Sequence, residues 1–211
     1  MNLKNVISTK ELFVKKIHSQ YPLSVSYRDF SKVQEIIDRL HKIPRTGWVD
    51  RGVKDPETVG EHTDAVVELS EKYFDIAGLN LMLRIHDWPE SNPRVGDRRI
   101  DPNCPKKSRW SKERKFQAEF KAMRQICFSF KNLILAKELF SLWLEFEKNK
   151  TKRAKIAHQL DKFQAIWQAV KYQKEGWAVD PWEFIDNTGK IITNFILEKE
   201  LENLKKRVEK N

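Results

Sequence analysis

Five histidines stand in this 211-residue chain, at positions 18, 41, 62, 86 and 158, and two of them invite metal chemistry. His86 is followed directly by Asp87, and His62 closes the run Val59-Gly60-Glu61-His62. Imidazole and carboxylate suit borderline and hard divalent ions, and no thiol lies nearby to select a softer one. Adjacent side chains on a helix diverge by about 100°, so His86 and Asp87 share an ion only at a helix edge, with a neighbouring helix completing its coordination. The helix of His62, joined to theirs by a short turn, is placed to do that. Asp161 is a further candidate, since it interrupts an otherwise apolar helical stretch from Ala157 to Phe163. A carboxylate there is costly unless paired or metal-bound. Taken alone, a lysine partner or a seat at the helix edge is the plainer explanation.

Two more features surround these residues. Glu90 follows Asp87 by one helical turn and points toward the same cleft as a general acid or base. Arg45 and Arg51 bracket Trp48, which suits planar guanidinium forks on a phosphate beside an aromatic platform. Each has a plainer explanation: His62 as a satisfied core histidine, Glu90 as a solvated helix end, Trp48 as a core plug.

The elements that must position these groups read as helices throughout. Ser8 to Glu11 forms a capping-box pattern, with Leu12, Val14, Ile17 and Tyr21 following until Pro22. A second helix is predicted over 31–41, with Val33, Ile36, Ile37 and Leu40 on one face. The segment 42–56, with two prolines and two glycines, reads as a loop without a helix. Helical spacing resumes from Glu57 to about Ala77, and again from Leu79 to Trp88. The stretch 89–105 holds four prolines and reads as irregular. Further helices are predicted over 111–127, 133–147 and 151–174, and a last one after Gly189 carries Leu197, Leu201, Leu204 and Val208. No alternating strand pattern of convincing length appears, so the expected fold class is all-α. The expected division is an N-terminal helical extension over 1–30, a main domain over 31–174 and a C-terminal helical extension over 175–211.

Composition narrows the function classes. Seven glycines and eight prolines disfavour a turn-rich β protein, and twelve Phe with seven Trp supply ample core bulk. Forty basic residues against thirty acidic ones leave a formal charge of +10, which suits an anionic partner without choosing one. The basic residues are dispersed rather than gathered on one recognition helix, which argues against nucleic acid as the partner. Cys104 and Cys127 are too few for a disulfide framework and point to a reducing compartment. No run approaches the ~18 apolar residues of a membrane span, and Met1 to Tyr21 lacks the apolar core of a signal peptide. The expected setting is the cytoplasm.

Taken in order, Arg45-Thr46-Gly47-Trp48, Glu57-Thr58-Val59-Gly60-Glu61-His62, His86-Asp87-Trp88-Pro89-Glu90, Gly96-Asp97 and Leu160-Asp161 resemble the HD-domain phosphohydrolases, and within them the 5′-deoxynucleotidase branch. The resemblance runs from Ser31 to Lys174. It implies an all-α bundle of roughly seven to nine helices, holding one divalent ion on His62, His86, Asp87 and Asp161. Cobalt, manganese, magnesium, iron, nickel and zinc are not distinguished. It further implies Glu90 as the catalytic carboxylate, Asp97 against substrate or attacking water, Arg45 and Trp48 against phosphate and sugar, and a homodimer. The segment between His62 and His86 is shorter than that branch usually carries, and two extra residues separate Glu90 from Gly96-Asp97.

The leading expectation is therefore removal of the 5′-phosphate from deoxynucleoside 5′-monophosphates by a metal-activated water. A triphosphohydrolase on the same scaffold is the enzymatic alternative, because Lys106, Lys107, Arg109, Lys112 and Arg114 follow the cleft in sequence. A basic nucleic-acid-binding protein with a vestigial site is the alternative from another class. His158, one turn before Asp161, is expected to pack or face solvent rather than to ligate.

Overall fold

A computed structural model of the chain describes residues 26–98 and 110–209. The expected helix over 8–21, His18, Cys104, Lys106, Lys107 and Arg109 lie outside the described residues. Among the described ones there are nine α-helices and no strand. They are α1 (Tyr27–Leu40), α2 (Thr46–Val49), α3 (Val59–Tyr73), α4 (Leu79–Ile85), α5 (Lys112–Phe128), α6 (Leu133–Lys148), α7 (Lys152–Lys174), α8 (Pro181–Thr188) and α9 (Phe195–Val208). Short 3₁₀ turns cover Trp88–Ser91 and Gly189–Ile191.

Local chemistry explains the helix starts. Ser26, Ser111 and Thr151 each accept the backbone N–H three residues on, satisfying donors that the first turn leaves free. Thr58 and Glu61 form a reciprocal capping box that fixes where α3, and with it His62, begins. Gly60 lies so close to the His41 ring that a Cβ would sit 2.5 Å from it, so the end of α1 reaches the α3 backbone only because that residue is glycine.

Two expectations need correcting. The loop 42–56 contains one helical turn, α2, because the Asp97 carboxylate accepts the Thr46 N–H at 2.6 Å and gives that turn a cap from far along the chain. The helix expected over 79–88 stops at Ile85; Pro89 has no N–H to continue an α-helical ladder, and the chain passes into a 3₁₀ turn instead.

The long helix α7 is the axis of the molecule. It packs against α3, α4, α6, α8 and α9, and buried apolar residues surround it: Ala154, Ile156, Ala157, Leu160, Phe163, Ile166, Ala169 and Val170. One stripe along it is polar yet buried: Asp161, Gln164, Gln168 and the Tyr172 phenol. The Asp161 and Gln164 end of that stripe meets His62.

Candidate metal centre and phosphate cleft

His62, on the second turn of α3, and His86, just past the last turn of α4, are both buried. His62 Nδ1 donates to Gln164 Oε1 at 2.6 Å, and His86 Nδ1 donates to the Leu83 carbonyl at 2.5 Å. Each ring thereby turns Nε2 inward, and neither Nε2 has a well-formed hydrogen bond, although both are fully enclosed. Enclosed nitrogens without partners are rare, and each needs a reason.

The oxygens facing them supply it. Asp87 Oδ2 lies 3.1 Å from His86 Nε2 and 3.9 Å from His62 Nε2. Asp161 Oδ1, arriving from α7, lies 3.1 Å from His62 Nε2. Ligand bonds of ~2.0–2.2 Å set at right angles place neighbouring ligand atoms ~3 Å apart and opposite ones ~4.2 Å apart. The observed spacings match the edges and near-diagonal of such a polyhedron. His62, His86 and Asp87 offer ligand atoms that all fall within 4.8 Å of one another, and these three can hold a divalent ion. Burial pushes the Asp87 carboxyl upward, but His86, then His62 and Arg45, outweigh it and hold the group well below the usual range. For Asp161, burial is likewise overcome, first by Lys162, whose Nζ is 3.0 Å away, and then by His62.

Beside this centre opens a cavity of about 530 Å³, lined by His86, Asp87, Lys115, Phe116, Glu119, Phe146, Glu147, His158 and Asp161 among others. That volume lies in the range of small-ligand sites. Glu90 is buried next to it, with Lys115 Nζ at 3.3 Å and Glu119 on the other side of that ammonium at 3.3 Å. Burial, and after it the Asp87 charge, raise the Glu90 carboxyl well above its ordinary range against the pull of Lys115. Burial disfavours the charge on Arg45, but Asp97, Asp161, Asp87 and Glu57 outweigh it and keep the guanidinium firmly charged.

Comparison with known proteins places this geometry. The model of the HD domain family matches residues 37–203. The chain belongs to the HD-domain family. It is 35% identical over 146 residues to the 5′-deoxynucleotidase HDDC2 of Mus musculus, covering 65% of this chain and 67% of that protein. To the protein of the same name in Dictyostelium discoideum it is 32% identical over 162 residues, covering 71% and 79%. Among solved structures it superposes on a protein described as a predicted metal-dependent phosphohydrolase from Magnetospirillum magnetotacticum, with a TM-score of 0.67 at 24% identity over 90% of this chain and 95% of that one. A conserved hypothetical protein from Pyrococcus furiosus gives a TM-score of 0.60 at 24% identity, over 82% and 98%.

Within this HD-domain site, two residues depart from the sequence expectation. Trp48 does not face the cleft: it is 2% exposed, stacks on Phe184 at 4.9 Å, meets Tyr172 edge-on at 5.2 Å, and donates its indole N–H to Glu57 Oε1 at 2.8 Å. It is the plug of a satellite core with Val53, Ala169 and Val179. Arg51 is likewise turned away from the cleft; it pairs with Glu183, caps the Gly47 carbonyl at 2.7 Å and lies over the Phe184 ring at 4.7 Å. Both hold the 42–56 loop against α8, a helix that begins at the Asp180 cap and Pro181. Asp97 sits beside Arg45 with its carboxylate on the Thr46 N–H, and its carbonyl accepts the Thr46 hydroxyl at 2.8 Å. His158 donates to the Phe146 carbonyl at 2.9 Å and stacks on that ring, a packing role at the cavity wall.

Sequence reasoning missed Gln164, Glu57, Lys115, Glu119 and Glu147. A lysine between two glutamates on α5 is an ordinary surface pattern until the fold buries it. An amide in a long helix gives no signal at all.

Proposed function

We propose that this HD-domain chain is a metal-dependent phosphohydrolase that removes the 5′-phosphate from deoxynucleoside 5′-monophosphates. The observation that carries the reading is the pair of buried Nε2 atoms, neither in a well-formed hydrogen bond, that face the Asp87 and Asp161 carboxylates with the Arg45 guanidinium alongside. His62, His86, Asp87 and, as fourth ligand, Asp161 would hold the ion. A divalent ion bound there would supply a water acidic enough to attack at neutral pH and would polarise a phosphoryl oxygen.

The chain's own groups do the rest. Arg45 takes the phosphate with a planar, permanently charged fork. Asp97 braces the Arg45–Thr46 backbone and so sets where that fork lies. Glu90, held protonated by burial and Asp87, stands to give its proton to the departing 5′-oxygen. Phe116 and Phe146 line the wall and offer no hydrogen-bond partner to a 2′-hydroxyl. The relatives named 5′-deoxynucleotidase support the substrate class. The balance of charge in the cavity suits a monophosphate better than a triphosphate, because Lys112, Lys115 and Lys162 are matched by Glu113, Glu119 and Glu147 rather than forming a run of cations.

The same proposal includes residues 31–174 as the catalytic domain with 175–211 as an extension, and a homodimer working in the cytoplasm. The exposed Phe128, Leu133 and Ile134 at the α5–α6 corner support association. The two cysteines, far apart in sequence, support a reducing setting. No helix among the described residues is long and apolar enough to cross a membrane. Phosphate release by the manganese- or cobalt-loaded chain from matched dNMP, NMP and dNTP panels tests the reading. Faster release from the deoxy monophosphates is expected, and no release from any of them would end it.

A further inference from the structure

The hydrogen bonds behind His62 run in one direction, and each link leaves the next no choice. Trp48 Nε1 is a donor only and takes Glu57 Oε1 at 2.8 Å. The Glu57 carboxylate accepts only, so its other oxygen takes the NH₂ of Gln164 at 2.9 Å. The Gln164 amide then has its carbonyl toward His62, 2.6 Å from Nδ1. A carbonyl cannot donate, so His62 must carry its proton on Nδ1. Glu57 is itself pinned: its N–H donates to the Tyr172 hydroxyl at 2.6 Å, and its carbonyl accepts the Arg45 N–H at 3.0 Å. Gln164 is fully buried and Glu57 nearly so, and water cannot easily relax the order of this chain.

We infer that Glu57 and Gln164 are positioning residues that lock the His62 proton on Nδ1 and so keep Nε2 bare toward the metal centre. Trp48, absent from the cleft, fixes the far end of the lock. The inference rests on His62 as a ligand in the reading above. It adds that the ligating form of this ring is imposed by two residues separated from each other by 107 positions.

Donor and acceptor counting gives the test. In Glu57→Gln the new amide keeps its oxygen for Trp48 and turns NH₂ toward the NH₂ of Gln164. The clash is relieved when Gln164 turns over, which forces His62 to accept at Nδ1 and to carry its proton on Nε2. In Gln164→Glu two carboxylates face each other with no proton between them. The double exchange, Glu57→Gln with Gln164→Glu, restores every donor to an acceptor. Titration of Mn²⁺ alone into the metal-free full chain, followed by calorimetry, should show each single variant weakened by about 10–100-fold and the double variant back within about threefold of the parent. Ring ¹⁵N shifts of the metal-free parent, with His62 assigned by its loss in His62→Gln, should show a proton held on Nδ1. A double variant as weak as the singles, an unaffected Glu57→Gln, or a parent ring without a proton on Nδ1 each overturns the inference. If either single variant fails to fold, the ring shifts of the parent decide alone. A parent that binds no Mn²⁺ yet carries the Nδ1 proton upholds the lock and removes the metal reading instead.

Discussion

Glu147 is a carboxyl that the chain keeps at a cost, and replacing it with glutamine should make the protein more stable in alkaline solution. Burial, and after it the neighbouring Glu119 charge, push Glu147 from an ordinary 4.5 up to about 7. Because the folded-state value is the higher one, the native chain binds this proton more tightly than the unfolded chain. The associated stability is fully present below about pH 4.5 and is lost as pH rises through about 7. A span of about 2.5 pH units at about 1.4 kcal/mol each is worth roughly 3 kcal/mol. The carboxyl lines an open cavity, so water screening lowers the working figure to about 1.5–3 kcal/mol. Glutamine keeps the shape and cannot ionise. Urea unfolding of metal-free Glu147→Gln and parent should therefore coincide near pH 4.5 and diverge by that amount at pH 8, a melting difference of about 4–10 °C for a chain this size. A stability difference that is the same at both pH values refutes the reasoning, since it places the effect in packing and not in the proton.

Three further outcomes follow from the site. Glu90→Gln should keep its metal content and lose roughly 10²–10⁴ in kcat, read by single-turnover phosphate release beside metal analysis. Trp48→Ala should lose about 3–5 kcal/mol of unfolding free energy through the cavity it leaves, while the rate ratio between dAMP and AMP stays where it was. Mn²⁺ at about a hundred times its dissociation constant should stabilise the chain by about 2.7 kcal/mol; a scanning melt detects this, and His86→Ala should abolish the shift.

Much of the site was legible because its chemistry resides in residue types that are expensive or unusual where they stand. A histidine directly before an aspartate, and a carboxylate inside the apolar stretch of α7, become candidates only through their order with the other motifs, since each alone has a plain explanation. The Thr58–Glu61 capping box is local, so the start of α3 could be read as well. Trp48 could not be assigned a side, because a single aromatic in an aperiodic loop reads equally as a platform or a plug. What decides it is Phe184, which stacks on it from a helix well over a hundred residues later. Arg51 was misread for the same reason: its partner Glu183 is 132 positions away. Gln164 was invisible, since a neutral amide carries no patterning signal and its meaning lies in two contacts across the fold.

The polar stripe of α7 also says something about how this sequence can vary. Asp161, Gln164, Gln168 and Tyr172 share one side of a single uninterrupted helix, with core residues beside them and Lys155, Trp167 and Lys171 exposed. Adding or deleting one residue between Asp161 and Tyr172 would rotate everything beyond it by about 100°, swinging charged and amide groups into the apolar packing while emptying the places they held. Such a change damages the reaction centre and the interior in one stroke. A one-residue insertion or deletion is therefore far less damaging in a connector than within α7, whose spacing sets Gln164 against His62 and the Tyr172 hydroxyl against Glu57.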